Sequence, residues 1–251
     1  MGRLQGKYTL ITGGTSGIGL ETARQFAEEG AVVAITGRSE AALAAAQAEL
    51  GAAVWVLQSD AGDIAAQRSL AAQLAQRWPR LDALYINAGD VTHRPLADWD
   101  ESSWDRLMGV NLKGPFFLVQ ALLPLLSEAS AASVILCGSV SARIGLPQSS
   151  AYAASKAGLL SLARTLSGEF AARGIRFNGL SPGPTQTAAL GKLGLPAAEE
   201  EALREEIRQL VPIGRLGTPW ELARAAVFLA SDESRFAVGT ELLVDGGVGN
   251  L

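Results

Sequence analysis

Seven short runs rich in Val, Ile, Leu and Thr, over residues 8–12, 31–36, 54–58, 81–87, 133–139, 175–180 and 241–244, alternate with longer stretches of helical period. The helical stretches cover 17–30, 40–50, 64–78, 103–126, 151–173 and 219–230. This alternation constrains the fold more than any other feature. Parallel pairing of successive strands needs a crossover long enough to hold a helix, and right-handed crossovers lay helices on both faces of the sheet. The order predicts an α/β fold: one doubly wound, Rossmann-type domain over 1–251 with a mostly parallel seven-stranded sheet, its ligand site at the carboxyl ends of the strands. The longest irregular stretch, 181–196, leads into a charged helical run at 199–210. A loop of that length inside a compact domain is more often a lid than a boundary, so 187–212 is expected to cover a substrate.

Composition narrows the function. Lys and Arg number 21 against 25 Asp and Glu, a net charge of −4 that argues against nucleic acid, which needs a clustered basic surplus. Cys137 is the only cysteine and His93 the only histidine, so neither a disulfide within the chain nor a multi-histidine metal site is expected, and no metal is assigned. The most apolar stretch, 116–126, has eleven residues and contains Gln120 and Pro124, whereas spanning a membrane takes about 20. Residues 1–7 lack the pattern of a signal peptide, and Gly6 stands where a myristoylation site has Ser or Thr. A cytoplasmic protein with no membrane partner is expected.

The first strand ends in Thr12-Gly13-Gly14-Thr15-Ser16-Gly17-Ile18-Gly19, and a helix follows at once. Glycines there permit a tight turn and close approach of the backbone to a pyrophosphate, while the helix start offers free amides and a partial positive charge. The spacing, Gly-x-x-x-Gly-x-Gly, differs from the commoner dinucleotide fingerprint, and a tight connection without a ligand is the alternative. The second strand ends Gly37-Arg38-Ser39. An acidic residue at this point binds the ribose hydroxyls of NAD, whereas an arginine accommodates the 2′-phosphate of NADP. Glu40 lies beyond the helix cap expected at Ser39, so NADP(H) is expected ahead of NAD(H), with NAD(H) still open.

Tyr152 and Lys156 stand four apart at the start of a helical stretch, which puts them on one face. A phenol titrates near 10 in isolation and a neighbouring ammonium favours its phenolate, a pairing suited to proton exchange with an alcohol or carbonyl. Ser139, at the end of the strand feeding that helix, lies at the ligand edge of the sheet. Any one of these is equally an ordinary surface or strand-end residue.

The glycine turn, Asn87-Ala88-Gly89, Asn111, Ser139 and Tyr152-Ala153-Ala154-Ser155-Lys156 together resemble the short-chain dehydrogenase/reductase family. The resemblance spans the chain and includes Arg176-Phe177-Asn178, the run from Ser181-Pro182-Gly183-Pro184 through Thr185-Gln186-Thr187, and Gly239-Thr240-Glu241 followed by Val244-Asp245-Gly246-Gly247. It implies that Tyr152 is the general acid or base, that Lys156 lowers its pKa and holds the nicotinamide ribose, that Ser139 bonds the substrate oxygen and that Asn111 holds a water linking Lys156 to solvent. For the cofactor it implies contacts at Gly13, Thr15, Ser16, Gly17, Ile18 and Gly19, at Arg38 and Ser39, at Asp60 beside the adenine, and at Asn87, Ala88 and Gly89. Beyond the tetrad it adds Pro182, Gly183, Thr185 and, at the phosphates, Thr187. Two departures stand out: Asp90 where the family often has glycine, and Thr185 where an aliphatic residue is usual.

Segments 90–94, 140–149 and 187–210 are expected to line the substrate pocket. Leu146, Leu190, Leu193, Leu195 and Ile207 make those walls mostly apolar, which suits a hydrophobic ketone, aldehyde or secondary alcohol. His93 and Arg94 read as surface-loop residues with the capacity to meet a polar substrate group. The expected function is hydride transfer between NADP(H) and such a small molecule. One alternative is a reductase of carrier-bound 3-oxoacyl thioesters, with Arg143 and Lys192 as candidates for a basic docking patch; another is a nucleotide-binding regulator without catalysis. The resemblance also implies a homotetramer in which the helices over 103–126 and 151–173 pair with their copies and the C-terminal strand and its preceding helix form a second interface.

Overall fold

The computed structural model describes residues 2–187 and 196–251. Its strands are β1 (Tyr8–Thr12), β2 (Val32–Gly37), β3 (Trp55–Gln58), β4 (Ala83–Ile86), β5 (Ala132–Cys137), β6 (Ile175–Pro182) and β7 (Glu241–Val244). Among the described residues they form one seven-stranded sheet, in the order β3-β2-β1-β4-β5-β6-β7, and every pairing is parallel. The helices are α1 (Gly17–Glu28), α2 (Glu40–Leu50), α3 (Ile64–Arg77), α4 (Glu101–Met108), α5 (Gly114–Ser127), α6 (Ser150–Phe170), α7 (Ala197–Gln209) and α8 (Pro219–Ala230).

Successive side chains of a strand point to opposite faces, and the apolar residues here divide accordingly into two cores. Leu10, Leu84, Ile86, Val134 and Leu136 pack with α3, α5 and α6. Ile11, Val33, Ile35, Tyr85 and Ile135 pack with α1, α2 and α8. Strands buried on both faces explain the near-continuous apolar runs in the sequence. Arg176 and Asn178 serve this framework. Arg176 donates to the carbonyls of Leu229, Ser234 and Ala237, and Asn178 Nδ2 donates to Ala237 O at 2.8 Å, bracing β6 against the end of α8 and the chain that follows it.

Most differences from the expected elements lie at their ends. The last residues assigned to two strands, Asn87 and Ser139, lie beyond β4 and β5, in the loops that form the ligand edge. The helix expected over 103–126 runs over Glu101–Ser127 but is not α throughout: α4 and α5 are joined by a π turn, Gly109–Lys113. Its wider spiral is invisible to a search for a 3.6-residue period. The whole run, Glu101–Ser127, is 27 residues long and apolar enough to cross a membrane, well beyond the eleven residues the sequence suggested. Leu118, Val119, Leu122 and Leu126 are nevertheless buried against the sheet and α3, so the fold itself uses that apolar character. Leu190, Lys192, Leu193 and Leu195 fall outside the described residues.

Gly114 opens α5 where the helix presses on the loop after β3; a Cβ there would overlap the Ala61 carbonyl oxygen. Gly114→Ala should therefore destabilise the protein by about 1–3 kcal/mol despite alanine's better helix propensity. At this chain length that is a fall in Tm of roughly 2–12 °C, measurable by thermal unfolding monitored by circular dichroism.

Candidate active site

The chain leaves β1 toward β2 on one side, and β4 lies against β1 on the other. A crevice opens at such a reversal of strand order, beyond the carboxyl ends of the strands. Here it is built by four hydrogen bonds. Thr12 Oγ1 accepts the amides of Asn87 and Ala88, each at 3.0 Å, and Asn87 Nδ2 donates to the carbonyls of Thr12 and Gly13, each at 3.1 Å. Thr12 was missed as a site residue because nothing in a strand-end threonine shows that its hydroxyl faces another strand's loop. The turn needs its glycines: Gly13 and Gly17 have φ of 66° and 54°, and a Cβ on Gly19 would overlap the Gly13 carbonyl.

The start of α1 suits an anion. Its N-cap, Ser16, makes no side-chain capping bond and its first turn holds no acidic residue, so the amides from Gly17 through Gly19 keep the free donors every helix start has. Thr187 lies over this turn, its Cγ2 3.5 Å from where a Gly17 Cβ would be. Thr15 packs on Gly37 at the end of β2. Arg38 follows it, exposed, and among the described residues its guanidinium has neither hydrogen bond nor ion pair; its carbonyl accepts from Gln58 Nε2 at 2.9 Å. Ser39 caps α2, accepting the Ala42 amide at 3.3 Å, and Glu40 is the first residue of that helix, as the sequence suggested. Asp60 is exposed just past β3, its Oδ1 accepting the Gly62 amide at 2.8 Å. A narrow pocket beside it is lined by Thr12, Thr36, Ser59, Ala61 and Ala88, and by Gln67, whose buried Oε1 has no protein partner. Among the described residues, a cradle of glycine amides, a free cation at the end of β2 and an unpaired acceptor in the pocket beside Asp60 fit a dinucleotide.

At the other end of the crevice Tyr152 and Lys156 share one face of the first turns of α6. Lys156 is 3% exposed; its Nζ donates to Cys137 O at 2.7 Å and lies 5.6 Å from the centre of the Tyr152 ring. An ammonium has three N–H donors, so two remain. Asn111, in the π turn, accepts the Asp90 amide at 2.7 Å and donates to Asp90 O at 2.9 Å and Ser155 Oγ at 3.1 Å, while Ser155 Oγ donates to Tyr152 O at 2.7 Å. Gly89 packs between Asn111 and Lys156, where a Cβ would touch both at 3.5 Å. Ser139 caps the short turn Val140–Ala142, accepting the Ser141 amide at 3.2 Å. His93 is an exposed loop residue, as expected, but an anchored one: its Nδ1 is 2.7 Å from Ser149 Oγ and its ring lies against Tyr152.

Pro182 ends β6, and the Gly183 amide donates to Val244 O at 3.0 Å. The Thr185 hydroxyl is folded onto Gly183 O at 2.9 Å, and Thr185 forms an isolated bridge with Gly217. The strand-end loops thus bring the glycine turn, Arg38, the Asn87 loop and the Tyr152–Lys156 face to one edge of the sheet.

A family profile described as enoyl-(acyl carrier protein) reductase matches residues 13–249. Galactitol 2-dehydrogenase (L-tagatose-forming) of Cereibacter sphaeroides is 37% identical over 248 residues, 98% of this chain and 96% of that protein. The 3-oxoacyl-[acyl-carrier-protein] reductase of Thermotoga maritima is 36% identical over 249 residues, 98% and 99% of the two chains. A solved structure of a short chain dehydrogenase/reductase family protein superposes with a TM-score of 0.88 at 39% identity, covering 99% of this chain and 100% of the other. With sequence, sheet order and site in agreement over nearly its whole length, the chain belongs to the short-chain dehydrogenase/reductase family, oxidoreductases that act on alcohols or carbonyl compounds with a nicotinamide dinucleotide.

Proposed function

We propose that this protein transfers hydride between NADP(H) and a ketone, aldehyde or secondary alcohol, using Ser139, Tyr152, Lys156 and Asn111. The observation that carries the reading is Lys156: a buried ammonium with, among the described residues, one carbonyl partner and two donors unspent, one helical turn from a tyrosine. When bound, the nicotinamide supplies or takes up the hydride. In the reducing direction the Tyr152 hydroxyl gives its proton to the substrate oxygen as the carbonyl carbon becomes tetrahedral, and Ser139 Oγ holds that oxygen by a hydrogen bond. The charge of Lys156 stabilises the phenolate left behind, and its remaining donors bind the ribose hydroxyls. Both Nδ2 hydrogens of Asn111 are spent on Asp90 and Ser155, while Oδ1 accepts only the Asp90 amide, so a water relaying protons to Lys156 would be held by an Asn111 oxygen.

The guanidinium of Arg38, which has no partner among the described residues, supports NADP(H) over NAD(H), and Gly13 to Gly19, Ser39, Asp60, Asn87 to Gly89, Pro182, Gly183, Thr185 and Thr187 complete the cofactor set. A small-molecule substrate is favoured over a carrier-bound thioester by Arg143. Its Nε and Nη2 both donate to Glu241 Oε2, at 3.0 and 2.8 Å, which removes it from a basic docking patch. Residues 187–212 act as the lid of a single domain; just past it, the Ile213 amide donates to Gly246 O at 3.3 Å. An apolar groove of about 500 Å³ between α5 and α6, lined by Met108, Leu112, Phe116, Phe117 and Leu162, supports pairing of these helices with their copies in a homotetramer. The exposed Trp220 and Phe236 support a second interface around α8 and β7. A reducing cytoplasm suits the lone buried Cys137.

Three measurements test this reading. Fluorescence titration should show NADPH binding tenfold to a hundredfold more tightly than NADH, the worth of a charge-assisted contact of about 1.5–3 kcal/mol, and Arg38→Asp should reverse the order; equal affinities would place the guanidinium elsewhere. Tyr152→Phe should cut turnover by roughly 10²–10⁴ with NADPH affinity nearly intact, whereas Lys156→Ala should weaken NADPH as well; more than a tenth of wild-type rate in the phenylalanine variant would exclude Tyr152 as the proton donor. Light scattering should give about four times the 26.1 kDa chain mass at micromolar concentration, and a monomer would refute the assembly.

A further inference from the structure

The loop after β4 is fastened above the site at two points. The Arg94 amide donates to Gln148 O at 2.9 Å, and Gln148 has φ 64°, the only positive value outside glycine among the described residues. A glutamine adopts that conformation only where its surroundings impose it. One residue away on each strand of the contact, His93 Nδ1 is 2.7 Å from the hydroxyl of Ser149, which is 1% exposed. The imidazole also lies against the Tyr152 ring, with centroids 5.0 Å apart and planes at 59°. Two independent contacts therefore hold the chain's only histidine beside the proposed proton donor.

The charged neighbours on this loop have partners of their own. Asp90 is bound by Thr92 and by Arg106 at 3.3 Å, and Arg94 reaches Ser103 Oγ at 3.3 Å and Asp100 at 3.7 Å. Desolvation of the part of the ring that packs on its neighbours holds the His93 pKa below its ordinary value, which favours the neutral ring near pH 7. With Nδ1 engaged, Nε2 is the remaining polar atom; it makes no hydrogen bond among the described residues, and His93 is exposed. With ring centroids 5.0 Å apart, the phenol and the imidazole are close enough for one small substrate to meet both, its reacting oxygen at the Tyr152 hydroxyl and a substituent on an adjacent carbon at Nε2. Apolar walls cannot select for such a substituent, but a fixed hydrogen-bonding group does.

We propose that His93 is a specificity-determining residue, whose Nε2 hydrogen-bonds a second oxygen function one or two carbons from the carbon that exchanges hydride. The enzyme then favours hydroxyketones and vicinal diols over plain ketones and alcohols. This rests on Tyr152 being the group that meets the substrate oxygen.

The test compares 2-hydroxycyclohexanone with cyclohexanone. Wild type should favour the hydroxyketone about tenfold in kcat/KM, the size of one neutral hydrogen bond. His93→Phe keeps a ring against Tyr152 and should bring that ratio near one, and His93→Gln, which retains an amide donor, should restore part of it. A second readout needs no turnover. In untagged protein labelled with ¹³C at histidine Cε1, the single signal is His93; with NADP⁺ present it should move on addition of 2-methoxycyclohexanone, which has a second oxygen but no alcohol to oxidise, and stay in place with cyclohexanone. A ratio unchanged by His93→Phe, equal losses on both ketones, or a signal that answers both ketones alike would overturn the proposal. Persistent turnover in Tyr152→Phe would instead overturn the catalytic assignment, while the His93 signal still decides whether this residue reads the second oxygen.

Discussion

The site depends first on the hydrogen-bonded knot between Thr12 at the end of β1 and Asn87 in the loop after β4. Parallel strands end with their last amides and carbonyls unpaired, and where two neighbours diverge to opposite sides of the sheet nothing in the ladder holds the gap. Thr12 and Asn87 satisfy those groups with side chains instead. Because the Asn87 carboxamide also takes the Gly13 carbonyl, the glycine turn is fixed relative to β4 as well as to its own strand. The start of α1 and the Asn87 loop are thereby held as one rigid edge.

A second knot holds the chemical end of the crevice. Asn111 in the π turn joins the loop at Asp90 to α6 at Ser155, and Ser155 returns to the Tyr152 carbonyl. An ordinary α-turn advances 100° per residue, and inserting a wider turn redirects the residues at that point without disturbing the apolar faces of α4 and α5. Lys156 stands above this network with the Cys137 carbonyl as its protein partner and, among the described residues, no counter-ion. Burying an ammonium is costly unless its donors are met, so the framework holds in place a cation that has donors left for a ligand. In the proposed reaction those donors would take the ribose hydroxyls, which would couple binding to proton transfer through one side chain.

The carboxyl ends of β4 and β5 divide the labour further. Asn87 and Ser139 both sit just past their strands, where side chains are released from the ladder and become available to the crevice. The same is true of Arg38 after β2 and Asp60 after β3. Residues deeper in the strands serve the two cores instead, and Arg176 and Asn178, which form part of the family pattern, brace β6 against the end of α8 and the segment beyond it.

The alternation of strand and helix was legible in the sequence because burial on two faces imposes apolar runs and amphipathic periods that any core of this kind requires. The Tyr152–Lys156 pair was legible because a helix fixes neighbours four apart, and Ser39 because a helix start has local chemistry. The π turn at Asn111, the Thr12 hydroxyl that unites two loops and the clamp of His93 on Ser149 were not. Each joins segments 21 to 76 residues apart, and no local pattern encodes which side chains the sheet will bring together. The sequence by itself determined the sheet, its helices and the residue types at the ligand edge, since these follow from periodicity and short-range geometry. Only the tertiary structure decided which of those residues meet, which donors are already spent and which remain for a ligand, because hydrogen-bond partnership depends on distances across the fold.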